Sequence, residues 1–131
     1  MAISSPPDST GMLNLVTHIL VFALQGNLRP KERRLLAENS WSVSAIVLWE
    51  LVKLSQLKRI SLDPNSAEFA VALSRVHVWP LDLRICRKIT ELDFESDPAN
   101  EIIAATSIIH RVPLVTRDQR ILGSKLVPFA M

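Results

Sequence analysis

Apolar positions along the chain come in short runs separated by polar, cap-forming residues, and the two kinds of run alternate. Met12 to Val16 is a brief apolar run that predicts a buried strand. Thr17 to Gln25 reads as a helix closed by Gly26, and Pro30 to Glu38 as a second, more polar helix with Pro in its first turn. Trp41 to Val43 predicts another strand. Ser44 then caps a helix from Ala45 to Leu57. Asp63-Pro64 predicts a helix start running to Arg75, followed by a β-like Val76 to Trp79 that stops at Pro80. Asp82 to Leu92 reads as helical. Asp97-Pro98, an Asp cap before Pro at the first helical position, opens a helix to His110. Pro113 to Val115 and Leu126 to Pro128 complete the set as short strands.

Short strands alternating with helices predict an α/β domain with a parallel sheet and helices on both faces. Such sheets build their sites at the carboxyl ends of the strands. Chemistry is therefore sought just after Leu15 and just after Val115.

Composition narrows this picture. A chain of 131 residues, 48% hydrophobic and 21% charged, suits one domain with one core. Residues 1–11, rich in Ser and Pro without apolar period, read as a disordered tail before a domain spanning 12–131. The formal net charge of +2 is compatible with an RNA partner, but no Lys/Arg run reads as a polybasic patch. Apolar stretches such as Ser44 to Val52 are too short to cross a membrane. One cysteine, Cys86, allows no internal disulfide, and with no secretory leader visible a reducing cytoplasm is expected. Three glycines leave no room for a phosphate-cradling loop. His18, His77 and His110 lack metal-ligand spacing and read as packing or surface residues. Cys86 reads as core beside Ile89, and Trp41, Trp49 and Trp79 as core or interface anchors rather than a base-stacking platform.

The carboxylates carry more information. Glu50 shares a helix face with Ile46, Val47, Leu54 and Leu57, where a charge is costly unless it is paired or ligating. It either pairs with Lys53 one turn on or belongs to a site. Asp118, after Leu114 to Arg117, is either a cap or a site residue at a strand end. Asp97 has a structural task as a helix cap. Asn100, in the same first turn, heads a face of Ile103, Ala104 and Ser107 that directs it to the same sheet edge.

Four segments resemble the VapC-type PIN domains, the toxins of bacterial toxin–antitoxin pairs. Leu15-Val16-Thr17-His18-Ile19-Leu20 resembles their L-D-T-H-x-L opening, and Val43-Ser44-Ala45 through Trp49-Glu50 their V-S-A-x-x-x-W-E segment. Asp97 to Thr106 resembles D-P-x-D-R-x-I-A-A-T, and Pro113 to Asp118 resembles P-L-V-T-R-D. The matches keep the family's order and span Leu13 to Pro128.

The resemblance implies a three-layer α/β/α fold with a short central parallel sheet. It implies a metal-dependent endoribonuclease, with Mg²⁺ or Mn²⁺ held by an acidic quartet, an RNA substrate, a homodimer and a cognate antitoxin. A metal suits such chemistry because it offsets charge building on the phosphate and lowers the pKa of the attacking water. Carried over by motif position, Glu50 and Asp118 match the quartet, while its other members fall on Asn100 and Val16. Asp97 is a candidate substitute ligand, and Thr17 and Thr116 line the site by position. Glu101 is one residue round the helix, about 100° from Asn100. Replacing two carboxylates by Val16 and Asn100 implies weak metal binding and impaired catalysis. The rival reading is an inactive PIN domain that binds RNA or the antitoxin. An unrelated receiver-like domain is disfavoured, because it needs acidic residues after its first strand and Leu13 to His18 has none.

Overall fold

The computed structural model describes residues 11–131; the tail expected over residues 1–11 lies, but for Gly11, outside the described residues. The elements are β1 (Met12–Leu15), α1 (Thr17–Gln25), α2 (Pro30–Ala37), β2 (Ser40–Ser44), α3 (Ala45–Gln56), α4 (Ala67–Leu73), β3 (His77–Trp79), α5 (Leu83–Ile89), α6 (Pro98–His110), β4 (Leu114–Val115) and α7 (Gln119–Leu122). All strand pairs are parallel, in the order β3-β2-β1-β4. Helices flank this sheet as the α/β/α arrangement requires, with α3 touching α1 and α6, and α5 packed on α6.

The residues explain the elements. Every residue of β1 is buried, which fits a central strand covered on both faces. Leu15, Leu20, Val43, Val47, Ile103 and Leu114 form the core between the sheet and the helices. Each such side chain contributes about 1.5–3 kcal/mol by leaving water. Asn14, also buried, donates from Nδ2 to the Ser107 hydroxyl at 2.8 Å and the Ile103 carbonyl at 3.2 Å, tying β1 to α6. Gly26, in the left-handed region at φ 75°, closes α1 as expected.

Several expectations need correction. The helix expected from Asp63-Pro64 begins later, at Ala67. The Asp63 carboxylate is spent on a turn, accepting from the Asn65 N–H at 2.9 Å, and Ser66 caps instead, accepting from the Phe69 N–H. The helix expected to reach Leu92 stops at Ile89. Leu126 to Pro128 forms no named strand. Pro128 has no N–H to donate, so pairing shrinks to one parallel bridge between Leu114 and Phe129. α7 was not expected at all. Cys86 is exposed, because the helix turns Ile85 rather than Cys86 into the core. Trp79 is buried, but Trp49 is 58% exposed and is no core residue.

Candidate active site

The site is built where β1, β2 and β4 end. Val16 follows β1 and is the N-cap of α1; its N–H donates to the Val115 carbonyl at 3.4 Å, so the ends of β1 and β4 lie side by side. Val16 is buried and has no side-chain donor or acceptor. The neighbouring Thr17 hydroxyl, also buried, donates to Glu50 Oε1. Glu50 therefore does not pair with Lys53, whose Nζ donates to Gln56 Oε1 at 3.2 Å instead. The bond from Thr17 ties the first turn of α1 to the second turn of α3.

Asp97 and Asp118 both act as caps. Asp97 Oδ1 accepts from the Asn100 N–H at 2.9 Å, opening α6 as the sequence predicts. Asp118 Oδ1 accepts from the N–H groups of Arg120 at 2.9 Å and Ile121 at 3.3 Å, opening α7. The Asp118 N–H in turn donates to the Thr116 hydroxyl at 3.1 Å. Asn100 reaches the expected sheet edge, but its amide nitrogen donates to Asp97 Oδ2 at 3.0 Å and to the Ser96 hydroxyl at 3.2 Å.

Three adjoining hollows divide these residues. One of about 310 Å³ is lined by Val16, His18, Ile19, Phe22, Asn100, Thr116, Arg117 and Asp118. A second, of about 680 Å³, holds Asp97 and Asp118 with Ser96, Gln119 and Arg120. A third, of about 520 Å³, holds Glu50 and Asp97 beside Ile46, Trp49, Pro98, Ala99 and Ile102. The structure thus gathers the predicted residues at one edge without converging their oxygens.

This donor set does not fit a divalent cation of the implied kind. Among the described residues, no three His, Cys, Asp or Glu side chains are grouped so that they could hold a metal ion. Val16 offers nothing, Asn100 offers no charge, and both nearby aspartates already accept helix N–H groups. Mg²⁺ asks for several hard oxygens in near-octahedral array.

One ion pair beside the site escaped the sequence. Arg117 donates from Nε to Glu32 Oε2 at 2.8 Å and from Nη2 to Glu32 Oε1 at 2.6 Å. Glu32 is buried and also accepts from the Arg29 N–H at 2.8 Å, which secures the start of α2. The Arg117 hydrogen bonds hold the Glu32 carboxyl below its ordinary value against the opposing effect of burial. The same bonds push the Arg117 guanidinium further up. Its guanidinium carbon lies 4.2 Å from the Phe22 ring centroid. Only the nearness of Arg117 to Asp118 in the chain hinted at this, and nothing marked Glu32 as its counterpart.

The chain belongs to the PIN domain family, whose profile matches residues 15–123. No curated protein sequence matches it. Among solved structures, it is similar to a toxin–antitoxin complex from Klebsiella pneumoniae, at 21% identity and TM-score 0.66, over 85% of this chain and 90% of that one. It is also similar to VapBC2 from Rickettsia felis bound to a DNA fragment from its promoter, at 21% identity and TM-score 0.69, over 90% and 96% of the two chains. FitAcB from Neisseria gonorrhoeae matches at 18% identity and TM-score 0.63, again over 90% and 96%. No helix among the described residues is long and apolar enough to cross a membrane.

Proposed function

We propose that this chain is a VapC-type toxin, the PIN member of a toxin–antitoxin pair, and a ribonuclease by descent whose present site supports little or no catalysis. The observation that carries the reading is the family match over residues 15–123 together with solved neighbours that are toxin–antitoxin complexes. A cognate antitoxin is the expected partner, RNA the expected polymer, and a homodimer the expected assembly. In an active relative of this plan, a bound Mg²⁺ or Mn²⁺ supplies charge stabilisation and an activated water. Here Glu50 is held by Thr17, Asp118 is held on the N–H groups of α7, and Asn100 presents an amide where a carboxylate is needed.

A second reading, a PIN domain that binds RNA or antitoxin without cutting, is favoured by Val16 and by the engagement of Asn100 with Asp97. One experiment separates them. Labelled total tRNA is incubated with the protein and Mn²⁺, beside Val16→Asp/Asn100→Asp, with EDTA as the blank for each. The expected result is EDTA-sensitive cleavage by the restored variant and little or none by the protein as it stands. Strong EDTA-sensitive cleavage by the unaltered chain would establish that Glu50, Asp118 and a substitute ligand suffice. No cleavage by either would overturn the nuclease lineage of the site.

A further inference from the structure

Arg29, Lys31, Arg33 and Arg34 crowd six positions at the start of α2, and all four are exposed. In the sequence this run is masked, because Glu32 stands in its middle. The structure removes that acid from the surface: Glu32 is 3% exposed and takes two hydrogen bonds from Arg117. Among the described residues, none of the four cations lies in an ion pair. The next acid along the chain, Glu38, is exposed but lies past the end of the helix. The start of α2 thus carries exposed, unneutralised charge far denser than the net charge of +2 suggests.

A second basic helix shows that this arrangement is not automatic. α5 carries Arg84, Arg87 and Lys88, but Lys88 is paired with Glu91 at 3.2 Å and Asp82 stands at its start. The two helices also differ in where they lead. Glu32 is bonded to Arg117, which lines the hollow with Asp118 and Asn100. Glu32 and Arg117 thus link α2 to the candidate site.

We infer that the exposed face of α2 is the surface on which RNA docks, its phosphates lying against Arg29, Lys31 and Arg34 and directed past Arg117 to the hollow. This rests on the reading of RNA as the polymer but not on cleavage. A polyanion is favoured over other occupants because the exposed positions offer repeated positive charge that no ion pair among the described residues neutralises. Phosphate contacts of this kind position a nucleic acid without reading its sequence, and they release counterions.

The test measures binding of labelled tRNA by fluorescence anisotropy in EDTA, where cleavage is silent, across a salt series. Arg29→Gln/Lys31→Gln/Arg34→Gln spares Arg33, whose Nη2 donates to the Leu28 carbonyl at 3.4 Å, and Gln keeps helix propensity. The expected result is affinity lowered roughly tenfold or more near 0.1 M salt, with the log–log salt slope reduced by about 2 to 3. Arg84→Gln/Arg87→Gln/Lys88→Gln is expected to change little. Single Lys31→Gln and Arg34→Gln variants, each expected to lower the slope by about 1, cover the case in which the triple variant fails to fold. Equal loss in both triples, unchanged binding in the α2 triple, or no binding by the unaltered protein would each overturn the assignment. Displacement of tRNA from the unaltered protein by equimolar poly-glutamate would also overturn it, pointing to an acidic protein segment instead. If the restored variant cuts tRNA equally well with and without the α2 cations, the docking surface fails while the nuclease lineage stands.

Discussion

Arg117 and Glu32, 85 positions apart in sequence, form a two-bond pair that joins the loop after β4 to α2 beside the candidate site. Removing one member of a buried pair costs more than the pair itself contributes, because the survivor is left buried and charged. Arg117→Ala strands the buried Glu32 and is expected to cost about 3 kcal/mol in urea denaturation at pH 7. Glu32→Gln strands the partly exposed Arg117 and is expected to cost less, about 1–2 kcal/mol.

The pair also sets a pH dependence. The folded-state pKa of Glu32 lies below its ordinary value of 4.5. Its contribution is therefore complete above that value and is lost as pH falls through the lower folded value. In Arg117→Ala the buried carboxyl has no counter-charge, so protonation relieves it. The stability gap between the two proteins is expected to narrow as pH falls from 7 toward 3.5. A gap that stays constant from pH 7 to pH 3.5 would show that the pair is not the cause.

His110 stacks on buried Trp79 at 4.0 Å between centroids, and His77 meets the same ring edge-on at 4.2 Å. Burial lowers both imidazoles from the ordinary 6.5; at His110 the nearby Arg84 and His77 add to this and Asp82 opposes it. The unfolded chain thus takes up these protons first. Stability is full above pH 6.5 and declines as pH falls through that value. His110→Phe keeps the stack and is expected to flatten the decline between pH 7.5 and 5.5, read as urea midpoints. An equal decline in the variant would assign it to other groups.

Asp118 has a structural task that masks any chemical one. Asp118→Ala removes two cap bonds and is expected to destabilise by about 1 kcal/mol, whereas Asp118→Asn keeps the acceptor and costs a few tenths. In the Val16→Asp/Asn100→Asp background, Asp118→Asn is expected to abolish cleavage at nearly unchanged melting temperature. Retained cleavage would leave Asp118 with the cap alone.

Asn100→Asp by itself replaces the amide that donates to Asp97 at 3.0 Å with a second carboxylate. The two acids repel, which destabilises the fold at neutral pH by about 0.5–1 kcal/mol. Millimolar Mn²⁺ is expected to recover the loss in a thermal melt. The unaltered protein is expected to show no Mn²⁺ shift.

Much of this fold was legible because local signals agreed with their surroundings. Ser44 and Asp97 cap the helices they were expected to cap, and Gly26 closes α1. The edge after Leu15 and Val115 followed from the parallel order, and the helix face through Ile103, Ala104 and Ser107 directed Asn100 to it. The failures come from competition between neighbours. Asp63 and Ser66 both favour a helix start, and which of them caps depends on the turn between them. Cys86 and Ile85 differ by one position, which on a short helix exchanges core for solvent. The basic face of α2 was hidden for a related reason: counting charge along the chain gives Glu32 the same weight as its neighbours, whereas folding turns it inward to Arg117.

The strand order has a consequence in time. Among the described residues β1 is the first strand and β4 the last, yet the two lie side by side, and Asp118 takes its place only through that pairing. β1, β2 and β3 can assemble as the chain emerges from the ribosome, but the hollow beside Val16 has no second wall until Leu114 to Phe129 are out. Until β4 has paired with β1, the nascent protein is therefore siteless. A partner that recognises the finished hollow can capture only molecules in which β4 has already paired with β1.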